Sequence, residues 1–112
     1  MIISTGQRSH VDKSKVFFDR RELNLILSLY GRMVSAGEWR DYAMDALDDR
    51  ALFSIFRRTS EAPLYQVEKR PAFARRQGAF AVVNAAGLIL RRGHELASVL
   101  AFLEPRRMRL LD

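Results

Sequence analysis

The chain has 112 residues, 48% of them hydrophobic, with 19 Lys and Arg against 13 Asp and Glu for a net charge of +6. That length suits one domain whose interior needs no covalent staple, and the lack of any cysteine excludes disulfides, a thiolate metal site and a cysteine nucleophile. No stretch approaches the ~20 apolar residues of a membrane span and none at the N-terminus resembles a signal peptide, so a cytoplasmic protein without a membrane partner is expected.

Residues 1–15 mix Ser, Thr, Gly and charges without periodicity and read as a flexible tail in which His10 stands alone. The first helix has a complete start signal. Asp19 is placed as N-cap and Glu22 falls three residues later, so each can bond the other's backbone N–H, and Phe18 can staple onto Leu23. Leu23, Ile26, Leu27, Tyr30, Met33 and Val34 then recur at the spacing of one buried helix face. Gly37 lies where a positive-φ stop is wanted. Gly31, inside the helix, costs roughly 1 kcal/mol against Ala and is read as allowing close approach of a strand. Leu25 and Leu29 form a second, narrower stripe. It is either covered by the tail or another core element or offered to a second copy of the chain.

After Gly37 the period changes. Trp39 to Met44 alternate as a strand with room to run to Leu47, and Asp48-Asp49-Arg50 is a turn. Residues 51–58 (ALFSIFRR) are the strongest strand in the chain. Residues 59–63 form a loop, and 64–70 (LYQVEKR) form a third strand ended by Pro71. Short connections imply an antiparallel meander. Phe53 and Ile55 on one side of the second strand and Leu52 and Phe56 on the other make both its faces apolar, so it is expected to be central and covered twice. Residues 71–78 suit one helical turn with Pro early and Gly last. Residues 80–83 and 88–92 then form a hairpin around Asn84-Ala85-Ala86-Gly87, broken by Gly93. Residues 95–103 form a short helix with Leu96, Val99, Leu100 and Leu103 on one face, and 105–112 form a basic tail. The expected architecture is therefore α+β: a long N-terminal helix, an antiparallel sheet of four to five strands, and a short C-terminal helix, all within 16–104.

No catalytic constellation emerges. His94 beside Glu95 has no second histidine at ligand spacing. Asp41 and Asp45 share a strand face, with Asp48 and Asp49 near, yet a solvated edge and turn explain them better than a cation does. There is no phosphate-cradling Gly-rich loop with a Lys and no nucleophile elbow. No cofactor and no metal are expected.

The charge distribution is more informative. Residues 1–56 carry eight Lys and Arg against eight Asp and Glu, whereas 57–112 carry eleven against five. Four dibasic pairs follow residue 56: Arg57/Arg58, Lys69/Arg70, Arg75/Arg76 and Arg91/Arg92. Neighbours on a strand point to opposite faces, so at most one of each strand pair joins a given patch. Their placement at strand ends suggests one basic rim that holds phosphates without reading sequence. Charged strand ends also discourage edge pairing. The reading is a non-catalytic module for nucleic acid or another polyanion, such as an acidic protein. The alternative is a protein-interaction or homodimeric module resting on Leu25 and Leu29. A small enzyme using His94 and nearby carboxylates comes last.

At FDRREL, at LYGRMV followed by GEWRDYA, and at GLILRRGHEL, the chain resembles a family of short alphaproteobacterial proteins of unknown function. The resemblance spans roughly residues 17–103 and implies a bacterial, cytoplasmic protein, with no activity or site residue attached. The order helix, three strands, helix is also similar to the double-stranded-RNA-binding domain. The intervening hairpin at 80–92 and the absence of a lysine cluster at Gly93-His94-Glu95 depart from that pattern.

Overall fold

The computed structural model describes residues 14–58 and 62–104. Residues 1–13 of the expected tail at 1–15, His10 among them, the loop residues 59–61 and the basic segment 105–112 lie outside that range. Helix α1 (Arg20–Ser35) begins as its sequence demands: the Asp19 carboxylate accepts the Glu22 N–H and the Glu22 carboxylate accepts the Asp19 N–H, both at 2.8 Å. Its C-terminus closes on Gly37 at φ +79°, with the Gly37 N–H donating to Val34 O and the Glu38 N–H to Met33 O. Those two bonds satisfy carbonyls that the helix leaves open.

Five strands follow, β1 (Asp41–Ala46), β2 (Ala51–Phe56), β3 (Tyr65–Lys69), β4 (Phe80–Asn84) and β5 (Ile89–Gly93), and they lie side by side in chain order, every pair antiparallel. A short 3-10 turn (Pro71–Phe73) links β3 to β4, and α2 (Leu96–Ala101) ends the described chain. At the β4–β5 turn, the Asn84 carboxamide oxygen accepts the N–H groups of Ala86 and Leu88, and Gly87 takes φ +86°. The pairing shifts between Val82 and Val83, leaving Leu90 as an extra residue on β5. Gly93 does not break this hairpin but closes it opposite Phe80. It lies so near Gly78 (φ +108°) that a Cβ on Gly78 would overlap the Gly93 carbonyl group.

Both helices pack on one face of the sheet. Ile26, Leu29 and Met33 of α1 and Leu96, Val99, Leu100 and Leu103 around α2 enclose Phe53, Ile55, Val67 and Val82. Tyr30, Trp39, Tyr42 and Phe53 form a run of ring contacts, with Tyr42 stacked on Phe53 at 4.8 Å and Tyr30 edge-on to Tyr42 at 5.0 Å. Burial, followed by the charge of Asp41, raises the Tyr30 hydroxyl above its ordinary 10.0.

Of the readings of the second stripe of α1, coverage by the core holds for Leu29, which is 2% exposed, while Leu25 is half-buried against the same core and borders a surface groove with Arg20 and Arg21. Three expectations need correction. Leu27 and Val34, expected inside, are the exposed ones. The buried line runs Glu22, Ile26, Leu29, Met33, because Glu22 turns inward to meet a lysine from the sheet. Second, β2 is covered by helix on one face only. Its other face carries Leu52, Ser54 and Phe56, where Ser54 Oγ accepts from the Gln66 carboxamide at 2.9 Å. Among the described residues no helix crosses that face, on which Ser54 is buried and Leu52 and Phe56 are half-buried. Third, Gly31 faces open space and accommodates no strand.

Candidate anion-binding groove at one end of the sheet

Antiparallel pairing decides where the basic residues go. β2 and β3 run in opposite directions, so Arg57/Arg58 after β2 and Lys69/Arg70 at the end of β3 lie at opposite ends of the sheet. β5 runs with β3, which brings Arg92 to the Arg70 end. The single rim expected from sequence is therefore two separate groups.

The group at the β3 end is largely consumed by the fold. Lys69 Nζ donates to Glu22 Oε1 and to Phe17 O, each at 2.8 Å. Glu68 is buried on the face away from the helices, and there Arg70 Nε reaches it at 3.1 Å and Arg92 at 3.3 Å. Both guanidinium groups lie over the Phe73 ring, at 5.4 and 4.9 Å from its centroid, and Arg70 also meets Asp49 at 3.0 Å. Burial pushes the Glu68 carboxyl up, but hydrogen bonds and charge from Arg70 and Arg92 outweigh it and hold the group below its ordinary 4.5. The same bond to Glu68 raises Arg70 further. Beside this cluster Arg75 and Arg76 are exposed and have no ion pair among the described residues, and Arg91 stands likewise on the edge strand β5.

The other end is arranged differently. Arg40 enters β1 beside the end of β2, its N–H donating to Phe56 O at 2.8 Å. That contact gathers Arg40, Arg57 and Arg58 around a groove of about 570 Å³ whose remaining wall is Val34, Gly37 and Trp39. Arg57 and Arg58 also line a second groove of about 530 Å³, with Pro63, Leu64 and Ala85, so this pair forms a ridge between two depressions. Among the described residues Arg57 has one ion pair, to Glu38 at 3.6 Å with both side chains exposed, a contact worth little in water. Arg40 is exposed and has none among the described residues. The carbonyl end of α1, a negative pole, borders the groove and offsets part of this positive charge. Trp39 is 4% exposed, so it forms a wall and offers no face for a base to stack on. Sequence reasoning missed Arg40, which lies in the electrically balanced half of the chain; only the pairing of β1 with β2 brings it to Arg57 and Arg58.

The carboxylates and His94 do not assemble. Asp41 Oδ1 accepts the Tyr42 N–H, Asp48 pairs with Lys15 and Asp49 with Arg50 and Arg70, while His94 is exposed beside Glu95. Among the described residues no group of three or more His, Asp or Glu is placed to hold a metal, and no helix is long and apolar enough to cross a membrane.

The chain belongs to the family described as Protein of unknown function (DUF2794), whose match spans residues 16–100. That range takes in every strand and α1. No curated protein and no solved structure matches the chain.

Proposed function

We propose that this chain is a non-catalytic binding module whose groove at Arg40, Arg57 and Arg58 takes the phosphates of a nucleic-acid strand. The observation that carries the reading is the convergence of three guanidinium groups on one groove, where, among the described residues, Arg40 has no ion pair and Arg57 is held by a single exposed carboxylate. Planar guanidinium groups bind phosphate oxygens in bidentate fashion, which favours phosphate over a lone carboxylate as the ligand group. With Trp39 closed off, recognition rests on backbone charge, so binding tolerates sequence and weakens with salt.

The test is fluorescence anisotropy with labelled single- and double-stranded RNA and DNA at low salt, followed by a salt titration. Binding is expected, with a slope of log K against log salt of about −2 to −3 for three neutralised phosphates. Absence of binding to all four probes at low salt ends the proposal.

A further inference from the structure

We infer that two copies of this chain pair edge to edge through β1, extending the sheet across a two-fold axis at Met44. Among the described residues β1 is an outer strand, touched beyond its end by the Val16 N–H, which donates to Leu47 O at 2.8 Å, and its hydrogen-bonding pattern is readable from the turn that follows it. The Leu47 N–H donates to Arg50 O at 2.8 Å, which makes 47 and 50 a hydrogen-bonded pair. Alternation along the β1–β2 ladder then turns the N–H and C=O groups of Tyr42, Met44 and Ala46 away from β2. The Tyr42 N–H shows this independently, since it is held by the neighbouring Asp41 carboxylate at 2.8 Å and not by β2.

An edge of this kind invites another strand. The side chains on its helix side make it an apolar one. Tyr42 is 40% exposed and Met44 51%, and Phe17, 50% exposed, joins Phe18, Leu23 and Met44 around a shallow groove of about 200 Å³.

Self-complementarity selects a second copy as the occupant. With Met44 on the axis, Met44 faces Met44, Tyr42 faces Ala46 and Ala46 faces Tyr42, so every outward backbone group of the strand finds a partner. Centring on Tyr42 or Ala46 leaves some of them unmatched. Continued one residue before β1 and into the turn after it, the same register sets Arg40 near Asp48 of the second copy, and it does so twice. Arg40 is exposed and the Asp48 side chain is 83% exposed, its ion pair being a 3.4 Å contact to Lys15. On the far face Asp45 falls opposite Ala43, and Asp41 opposite Leu47, so no two carboxylates face each other directly. An interface that supplies both halves of its own charge pairing is isologous, as a two-fold dimer requires. The Asp41 side chain competes for one of the outward donors, so it acts as a brake on pairing.

Light scattering on the full chain without nucleic acid, over a range of concentrations, measures the mass, and hydrogen exchange measures the register. The expected result is a mass rising from 12.9 kDa towards twice that value, with slowed exchange at the amides of Tyr42, Met44 and Ala46. Met44→Lys is expected to halve the dimer mass and restore fast exchange. As a check on folding, Asp48→Arg, at an exposed position, is expected to halve it too, and adding Arg40→Asp to restore it. Asp41→Ala is expected to tighten the dimer several-fold. A monomer at every concentration, a dimer unmoved by Met44→Lys, or a dimer whose three amides exchange freely would each overturn the inference.

Discussion

One carboxylate oxygen of Glu22 accepts both the Asp19 N–H that starts α1 and the ammonium group of Lys69 from the end of β3, each at 2.8 Å. The helix start and the sheet are thereby locked to one atom, in a place where both side chains are largely shielded. Glu22→Ala is expected to cost about 2–3 kcal/mol, because it removes half of the capping box and a charge-assisted bond together. Lys69→Met is expected to cost less, since the cap survives. Urea unfolding followed by the fluorescence of buried Trp39 measures both, and the double variant should show a coupling above about 0.5 kcal/mol. Additive losses would mean that the contact is not energetically shared.

Glu68 sets an acid limit on stability. Its folded-state pKa is held below the ordinary 4.5, since Arg70 and Arg92 outweigh the effect of burial. A depressed carboxylate contributes stability that is fully present above the ordinary value and is lost as the pH falls through the folded one. Unfolding curves taken downward from neutrality are therefore expected to show a loss that begins below about pH 5. Glu68→Gln should be less stable at neutral pH and lose less on acidification. A parallel pH profile for the two proteins would contradict this.

Two glycines should respond in opposite ways to the same change. A Cβ at Gly31 meets nothing within 4 Å on the exposed side of α1, so Gly31→Ala is expected to stabilise by about 1 kcal/mol. A Cβ at Gly78 would overlap the Gly93 backbone, and its φ of +108° is unfavourable for any side chain. Gly78→Ala is expected to destabilise by about 3 kcal/mol through overlap and backbone strain together. Thermal unfolding midpoints check both signs.

The two basic ends of the sheet should separate in a binding assay. Charge reversal at Arg57 and Arg58 changes the groove, whereas reversal at Arg75 and Arg76 makes the same change in net charge at the other end. The first is expected to abolish nucleic-acid binding at moderate salt and the second only to weaken it through the long-range field. Equal losses in anisotropy titrations would point to net charge and not to the groove.

Much of the fold was legible in the residues because its signals are local. Asp19 and Glu22 mark the helix start, Gly37 its end, and period-two stretches with short turns mark an antiparallel sheet of four to five strands. The depth of each stripe on α1 was not legible. Leu25, Ile26, Leu27, Leu29, Tyr30, Met33 and Val34 cover more than half the helix circumference, and the centre of the buried face is fixed by an inward glutamate that no hydrophobic pattern would select. What lies over the second face of β2 was not legible either: Leu52 and Phe56 look like core in sequence, and they lie half-buried on the face without a helix.

By itself, then, the sequence determined the elements, their order, the α+β class and the excess of positive charge, all of which depend on contacts between near neighbours along the chain. Only the tertiary structure decided which charges come together. Antiparallel pairing sends consecutive strand ends to opposite edges, so it ties Lys69, Arg70 and Arg92 to buried carboxylates and brings Arg40 across to Arg57 and Arg58. Burial and ion pairing between residues far apart in sequence set what a side chain is free to do, and no local pattern encodes them.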